Sequence, residues 1–381
     1  MIEITTVYQS YLDFFYKKYP EVQSYSYTQQ LSALLNDFNA ECDFLHKELN
    51  KMGIESNIYF FNCELLQKRW KNEFKNSDLF SILLKQLQEE KPDILLISDL
   101  PAFTEQQLKL LKSTLGKRTK FVAWHFTTVN SDFSTKSKYI DEFYTGSKYF
   151  VNLLKDHCKS VKLLYHAFSP LVLQKLENQK TSSNCLFCGS IFLSENIHLN
   201  RIDLFSSLIN SDITFDFFGE VYGSLSPSSL KAKMKSLLKR RSAITKTRQK
   251  TEQLLKRIKQ PSSYGIEYYQ ILKNHNICLN LHSPISGSGA GNMRMFEVTG
   301  VGSCLVTDYK SENIDLFKPD DEIIVYEDFE ELIEKLSWLK NHPDDLKKIS
   351  IAGQKRTLST HTYKQKAEML NYYLQNLLNK H

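Results

Sequence analysis

The sequence predicts an α/β fold of two doubly wound, Rossmann-like domains that face one another across a cleft. Short apolar runs alternate with helical segments along the chain, an order that builds parallel sheets covered by helices. Runs such as residues 94–97 (ILLI) are apolar on both faces, as strands of a doubly covered sheet must be. The alternation restarts after a polar stretch at residues 177–183, so we place a domain linker there.

The individual elements follow from this alternation. In the first half the predicted strands are residues 2–8, 56–61, 93–98, 121–126, 142–145 and 161–165, and the predicted helices are residues 27–52, 79–90, 105–115 and 148–157. In the second half the predicted strands are residues 185–192, 213–218, 277–281, 303–307 and 322–325, and the predicted helices are residues 201–208, 267–273, 329–339 and 344–357. We therefore predict a first domain at residues 1–176 and a second at residues 184–362.

The composition indicates a soluble globular protein. Of 381 residues, 41% are hydrophobic and 24% are charged, which is typical of ordinary domains. No run approaches the roughly 18 apolar residues that a membrane span needs. The polar start of the chain (MIEITT) lacks the basic and apolar regions of a signal peptide. We therefore expect the protein to stay in the cytoplasm.

The seven cysteines argue against a disulfide framework, because their number is odd and they are scattered along the chain. Cys185 and Cys188 form the one close pair. A zinc or redox role would need a second pair or suitably spaced histidines. The pair falls in a predicted buried strand, so we expect both thiols to pack in the core.

One segment makes the protein basic. Residues 229–260 contain twelve Lys or Arg and one acid, Glu252, so the segment carries +11 while the whole chain carries +6. Apolar residues recur at helical spacing in its first half, at Leu230, Met234, Leu237 and Leu238. Two interpretations remain open: a solvated lysine-rich excursion, or a surface that attracts an anionic membrane or a phosphorylated acceptor. Nucleic acid is not expected as a partner, because no binding motif accompanies the charge.

A glycine-rich loop at residues 287–291 opens a short predicted helix that carries Arg294 and Glu297. The free N–H groups and the positive dipole end of such a helix favour an anion, and the glycines let it approach the backbone. Arg294 and Glu297 are three residues apart and share one helical face. There a cation can meet a diphosphate and a carboxylate can accept the two hydroxyls of a ribose. A surface turn with an ordinary ion pair is the alternative, since the glycine spacing fits neither the dinucleotide fingerprint nor the P-loop.

The region contains several short motifs: ICLNLH at 277–282, NMRMFE at 292–297, TGVG at 299–302, TD at 307–308, AGQKRTL at 352–358 and HTY at 361–363. In this order they resemble the C-terminal half of bacterial GT-B glycosyltransferases of the spore-maturation-protein type, among the group 1 glycosyl transferases. More weakly, residues 11–70, 91–95 and 167–170 are similar to the N-terminal half of the same group. The resemblance implies an acceptor domain at 1–176, to which a last helix at 363–381 returns, and a donor domain at 184–362.

The resemblance also implies that a nucleotide-sugar binds to the second domain, where ligands of open parallel sheets lie beyond the carboxyl ends of the strands. Arg201 matches an arginine of the family pattern and would add charge at the diphosphate. The other donor-binding candidates follow predicted strands or belong to the glycine-rich motif: Gly189, Ser190, Gly219, His282, Ser288, Gly289, Asn292, Arg294 and Glu297. The chain contains no Asp-x-Asp pair, so we expect a metal-independent enzyme whose donor is a substrate and which needs no further cofactor.

Two histidines follow predicted strands of the first domain and are candidates for acid/base chemistry, since histidine titrates near neutral pH. We select His125 over His166 as the catalytic candidate. Its strand end should point into the cleft, beside Thr127 and Thr128, which could contact a sugar. A structural histidine is the alternative for either residue.

These inferences together predict a glycosyltransferase that moves a sugar from a nucleotide donor to a glycan, lipid-linked or protein acceptor, in the synthesis of bacterial cell-surface glycans. Many retaining GT-B enzymes carry two glutamates eight positions apart. Eight positions before Glu297 this chain has Gly289 in place of the first glutamate. The resemblance therefore does not imply whether the configuration at the sugar carbon is retained or inverted. Two other functions stay open: a nucleotide-sugar epimerase of the same fold, and a non-catalytic module that binds the nucleotide.

Overall fold

The computed structural model describes residues 1–40, 42–71, 76–178, 182–193, 197–225 and 243–379. The backbone divides into two compact units. Unit 1 comprises Met1–Ser169, Tyr264–Ile266 and His361–His381, and unit 2 comprises Pro170–Ser263 and Glu267–Thr360. Each unit is built on a parallel sheet with helices. The predicted class, an α/β protein with two Rossmann-like domains, is confirmed.

Unit 1 contains a six-stranded parallel sheet in the order β2-β1-β3-β4-β5-β6. Its strands are β1 (Ile2–Thr5), β2 (Asn57–Phe60), β3 (Ile94–Ile97), β4 (Lys120–Trp124), β5 (Glu142–Thr145) and β6 (Val161–Leu163). Its helices are α1 (Gln9–Lys18), α2 (Tyr27–Asn36), α3 (Phe44–Lys51), α4 (Glu64–Gln67), α5 (Leu79–Glu90), α6 (Glu105–Leu115), α7 (Ser131–Ser137) and α8 (Lys148–Leu154). All four residues of β3 are buried, as the apolar run predicted for a strand covered on both faces.

The predicted helix at residues 27–52 is broken between α2 and α3. Phe38 and Ala40 have φ angles of 60° and 50°, which an α-helix excludes. The carbonyl of Asp37 accepts a hydrogen bond from the N–H of Ile266 at 2.8 Å. Residues 264–266, which return to unit 1, therefore contact the loop between α2 and α3. The apolar pattern of residues 27–52 carries no information about this distant contact, so the break could not be predicted from it.

Unit 2 contains a five-stranded parallel sheet in the order β13-β12-β11-β7-β9 and a two-stranded sheet of β8 and β10. Its strands are β7 (Ser182–Cys188), β8 (Ile191–Phe192), β9 (Phe215–Phe218), β10 (Val221–Tyr222), β11 (His275–Asn280), β12 (Cys304–Asp308) and β13 (Ile324–Tyr326). Its helices are α9 (Leu199–Ile209), α10 (Ala243–Ile258), α11 (Gly265–Lys273, whose first two residues belong to unit 1), α12 (Met293–Val301), α13 (Asn313–Leu316), α14 (Phe329–Asn341) and α15 (Pro343–Thr360). The last helix, α16 (Tyr363–Leu378), belongs to unit 1 and packs against α3.

The predicted strand at residues 185–192 is divided between the two sheets of unit 2. Gly189 has a φ angle of 143°, which favours glycine, and its N–H donates to the carbonyl of Phe218 at 2.8 Å. A Cβ on Gly219 would lie 2.5 Å from the carbonyl oxygen of Gly189. Two glycines thus let the ends of β7 and β9 approach closely, and the chain turns there before β8.

The two closely spaced cysteines both lie on β7 and are buried, free thiols. Burial raises the pKa of Cys185 and of Cys188 to about 12. A thiol with so high a pKa stays protonated at neutral pH, so it is a poor nucleophile and metal ligand. The geometry supports the interpretation of both residues as core packing.

The first part of the basic segment, residues 229–242, lies outside the described residues, and with it the apolar stripe predicted there. The described remainder is α10, which packs against α9 and buries Leu255 completely. Arg248 donates two hydrogen bonds to the carboxylate of Asp203 at 2.7 and 2.6 Å. Part of the positive charge is therefore paired with acids of unit 2. Across the described ranges, no helix is both long enough and apolar enough to cross a bilayer.

Candidate functional site

The carboxyl edge of the unit 2 sheet has its topological switch point between β7 and β11. The chain leaves β7 for β9 on one side and later adds β11 on the other side. Ligands of open α/β sheets bind in the crevice outside such a point. Gly189 directly follows β7, and His282 lies two residues beyond the end of β11. Two of the predicted site residues therefore flank the crevice.

Two guanidinium groups approach Gly189. A Cβ on this glycine would lie 3.3 Å from Nη1 of Arg294 and 3.6 Å from Nη1 of Arg201. Nη1 of Arg201 donates to the carbonyl of Ser190 at 2.5 Å, while its Nε is buried without a hydrogen-bond partner. Burial, together with the nearby charge of Arg294, lowers the pKa of Arg201 to about 10. Both side chains are still cations at neutral pH, so they form a partly buried positive site with an unused donor.

A tyrosine that the sequence analysis missed joins Arg294 to Glu297. The hydroxyl of Tyr268, on α11, donates to Oε2 of Glu297 at 2.8 Å and accepts from Nε of Arg294 at 3.4 Å. Burial raises the pKa of Tyr268, so the hydroxyl keeps its proton and remains a donor. The sequence of α11 does not show which of two adjacent residues, Tyr268 and the buried Tyr269, belongs to the site. Only the tertiary contact of α11 with α12 identifies it.

The glycine-rich loop uses several of its own N–H groups within the chain. Gly289 donates to the carbonyl of Ser286 at 2.8 Å, and Ala290 donates to Oε2 of Glu312 at 3.0 Å. The N–H of Gly291 lies 3.2 Å from Sδ of Met295. The sequence led us to expect free N–H groups for an anion, but these three are already engaged. Ser288 is the exposed residue of the loop.

Asn292 is the N-cap of α12. Its Oδ1 accepts the N–H of Met295 at 3.4 Å, and its Nδ2 donates to Oδ1 of Asn280 at 3.0 Å. Both ends of the amide therefore fix the start of α12 against β11. The positive end of the helix dipole is held in place at the same edge as the two arginines.

His282 forms a buried pair with Asp308, another residue that we had not assigned to the site. Oδ1 of Asp308 accepts both the backbone N–H of His282, at 2.9 Å, and its Nδ1, at 2.7 Å. Burial opposes ionisation, but the hydrogen bonds from His282 lower the pKa of Asp308 overall. Nε2 of His282 is buried without a partner. Asp308 ends β12, the neighbour of β11, and belongs to the TD motif of the resemblance, so the signal was present in the sequence.

His125 lies in unit 1, directly after β4, and is 5% exposed. Its ring packs against Phe133 and Phe143, with ring centroids 4.2 and 6.4 Å apart. Burial lowers its pKa, although backbone groups of Thr128 and Thr127 oppose the shift. Nε2 is buried without a partner, so the ring is neutral at pH 7 with one nitrogen unused.

The other unit 1 candidate, His166, stacks on Phe126 at a ring-centroid distance of 5.0 Å. The switch point of the unit 1 sheet lies between β1 and β3, one strand away from His125.

Among the side chains that the structure describes, no three of His, Cys, Asp or Glu cluster as metal ligands would.

Comparisons with known proteins agree with this architecture. Residues 213–371 match the family model described as Glycosyl transferase-like. No curated protein matches the chain. The matched region includes α12 with Arg294 and Glu297, whereas Gly189 and Arg201 precede it.

Solved structures extend the similarity over both units. A glycosyltransferase from Rickettsia africae ESF-5 is 12% identical with a TM-score of 0.52, over 100% of this chain and 98% of that chain. HepE from Anabaena, in complex with UDP-glucose, is 11% identical with a TM-score of 0.53, over 87% and 88%. Sucrose-phosphate synthase from Thermosynechococcus elongatus is 9% identical with a TM-score of 0.53, over 87% and 91%. The chain shares the GT-B fold of these glycosyltransferases, and identities this low establish the fold alone.

The burial of His125 predicts a pH dependence of stability. An unfolded histidine has a pKa of about 6.5, and the folded value is lower. Between the two values the unfolded chain binds a proton that the folded chain does not, so the contribution of His125 to stability falls as the pH falls. From pH 8 to pH 5.5, the melting temperature of the wild type should drop further than that of His125→Asn.

The exposed His157 supplies the matched control. His157→Asn should follow the wild-type pH profile in the same thermal unfolding series. Parallel profiles for the wild type and His125→Asn would show that His125 is not held neutral by its surroundings.

Proposed function

We propose that the protein is a glycosyltransferase that uses a nucleotide-sugar as donor, with the diphosphate bound by Arg201 and Arg294. The approach of these two cations to Gly189 carries the proposal, because a partly buried pair of like charges is best stabilised by an anion of matching charge. The family match of residues 213–371 and the UDP-glucose complex of the similar HepE support it. The spore-maturation-protein type, inferred from the sequence motifs, remains our proposal for the subgroup.

The geometry suggests how unit 2 would promote the reaction. When the glycosidic bond to the donor breaks, negative charge develops on the departing diphosphate. Arg201, Arg294 and the positive end of α12 would stabilise that charge and so lower the barrier. Glu297, oriented by Tyr268, would accept the ribose hydroxyls and fix the nucleotide.

We propose that unit 1 binds the acceptor, a glycan, a lipid-linked sugar or a protein, and that His125 receives the proton of the acceptor hydroxyl. The neutral ring and the unused Nε2 support this role, since a base must have a free lone pair at the working pH. The lowered pKa of His125 keeps that lone pair available near neutrality.

The nucleotide site can be tested by calorimetric titration with UDP. Arg201→Ala, Arg294→Ala and Glu297→Gln should each weaken binding by roughly ten- to a hundredfold, because each removes a charge-assisted hydrogen bond of about 1.5–3 kcal/mol. Arg118→Ala is the control, since this arginine of unit 1 is largely exposed in its pair with Asp93. Wild-type affinity in the three site variants would refute this placement of the donor.

Metal independence is a separate prediction. The arginine pair and the helix start supply positive charge that a metal ion supplies in other sites. Turnover of the donor with an acceptor should therefore persist in excess EDTA. Loss of turnover that magnesium or manganese restores would contradict the prediction.

The same assay separates the alternative functions. Conversion of the donor sugar in the absence of any acceptor would indicate an epimerase. Nucleotide binding with no turnover, across a panel of acceptors, would indicate a non-catalytic module.

We further propose that residues 229–260 bring the protein to the inner face of an anionic membrane. The +11 charge of the segment supports this, since each basic group near such a surface contributes about 1 kcal/mol. The protein should cosediment with anionic vesicles at low salt and dissociate at 1 M salt, where the Debye length is about 3 Å. Glutamate in place of Lys231, Lys235, Lys239, Arg240 and Arg241 should abolish cosedimentation and leave UDP affinity unchanged. Sedimentation that is equal for both proteins would contradict it.

A further inference from the structure

The imidazole of His282 is fixed in one orientation and one tautomer. Its Nδ1 lies 2.7 Å from a carboxylate oxygen of Asp308 that also accepts the backbone N–H of His282. Thr307 and Lys310 contact the same carboxylate, at 3.3 and 3.4 Å, so it remains an anion and requires a proton on Nδ1. In the neutral ring Nε2 must then carry a lone pair. His282 is 2% exposed, and this acceptor has no partner.

His282 lies near Arg201, and the charge of Asp308, the partner of His282, also acts on Arg201. The side-chain amide of Asn200 donates to the carbonyl of His282 at 3.3 Å, and Asn200 directly precedes Arg201 on α9. The crevice at the switch point therefore holds two buried nitrogens without partners, Nε of Arg201 and Nε2 of His282. One is a donor and the other an acceptor. Buried polar atoms are nearly always hydrogen-bonded in folded proteins, so a ligand with both kinds of group would complete the site.

We propose that Nε2 of His282 accepts a hydrogen bond from a hydroxyl of the sugar that is transferred. The inference rests on the proposed function and adds a residue that recognises the sugar. A phosphate oxygen has no proton to donate to a lone pair, so the diphosphate belongs to the arginines. Glu297 is assigned to the ribose. The sugar is joined to the diphosphate, and it is the remaining part of the donor that carries several hydroxyls next to the arginine site.

Two substitutions at His282 test the roles of Nδ1 and Nε2 separately. The amide nitrogen of His282→Asn can replace Nδ1 and keep the bond to Asp308, but this variant has no group at the position of Nε2. The amide oxygen of His282→Gln can reach the position of Nε2 and act as an acceptor there. Thermal unfolding of both variants checks that the site remains folded.

Calorimetric titration with UDP, UDP-glucose and UDP-N-acetylglucosamine tests the proposal. His282→Asn should bind UDP within about twofold of the wild type and bind the UDP-sugars about two- to tenfold more weakly, as expected for one neutral hydrogen bond. His282→Gln should retain most of the affinity for the UDP-sugars.

The other outcomes overturn the proposal in distinguishable ways. Equal weakening of UDP and UDP-sugars in His282→Asn would place the contact at the nucleotide, and unchanged binding of all three would leave His282 with a structural role only. Equal losses in both variants would exclude the acceptor at Nε2, as would a wild type that binds UDP but neither UDP-sugar. If the wild type binds none of the three probes, the donor site itself is refuted.

Discussion

The proximity of two cations in front of Gly189 is the constraint on which the site in unit 2 depends. Like charges repel most strongly where water is excluded, so the surrounding structure must hold both guanidinium groups in place. The carbonyl of Ser190 holds Arg201, and the hydroxyl of Tyr268 holds Arg294. A side chain at position 189 would enter the space that the two groups approach. Glycine at this position permits the turn after β7 and leaves space for an anion next to the two arginines.

Three acids around the crevice accept hydrogen bonds from neutral groups. Asp308 accepts from His282, Glu297 accepts from Tyr268, and Glu312 accepts from the N–H of Ala290. An acid that paired directly with both arginines would neutralise them and leave an anion little to gain. Here a tyrosine, a histidine and a backbone amide donate to the acids, while both guanidinium groups approach Gly189 and Nε of Arg201 keeps an unused donor for an anion.

Much of this arrangement could be predicted from the sequence, because it follows from local patterns. Alternation of apolar runs predicts the two sheets, and the strand-end rule places Gly189 and His282 at the same edge. Contacts between distant segments could not be predicted in this way. Tyr268 is one of two adjacent tyrosines in an ordinary helix, and the break in the predicted helix at residues 27–52 depends on the return of residues 264–266, at the start of α11, to unit 1. The strand predicted at residues 185–192 ends at Cys188, because the close approach of the end of β9 requires a turn at Gly189.

His125 and His282 show why position alone does not define chemistry. Both follow strands of parallel sheets, both are buried, and both leave Nε2 without a partner. They differ in what surrounds the rest of the ring. Aromatic rings pack against His125, so burial lowers its pKa and favours a neutral base. A carboxylate faces Nδ1 of His282, which fixes the tautomer and the direction of its free lone pair. The first environment suits a group that accepts a proton, whereas the second suits a rigid hydrogen-bond acceptor that recognises a hydroxyl.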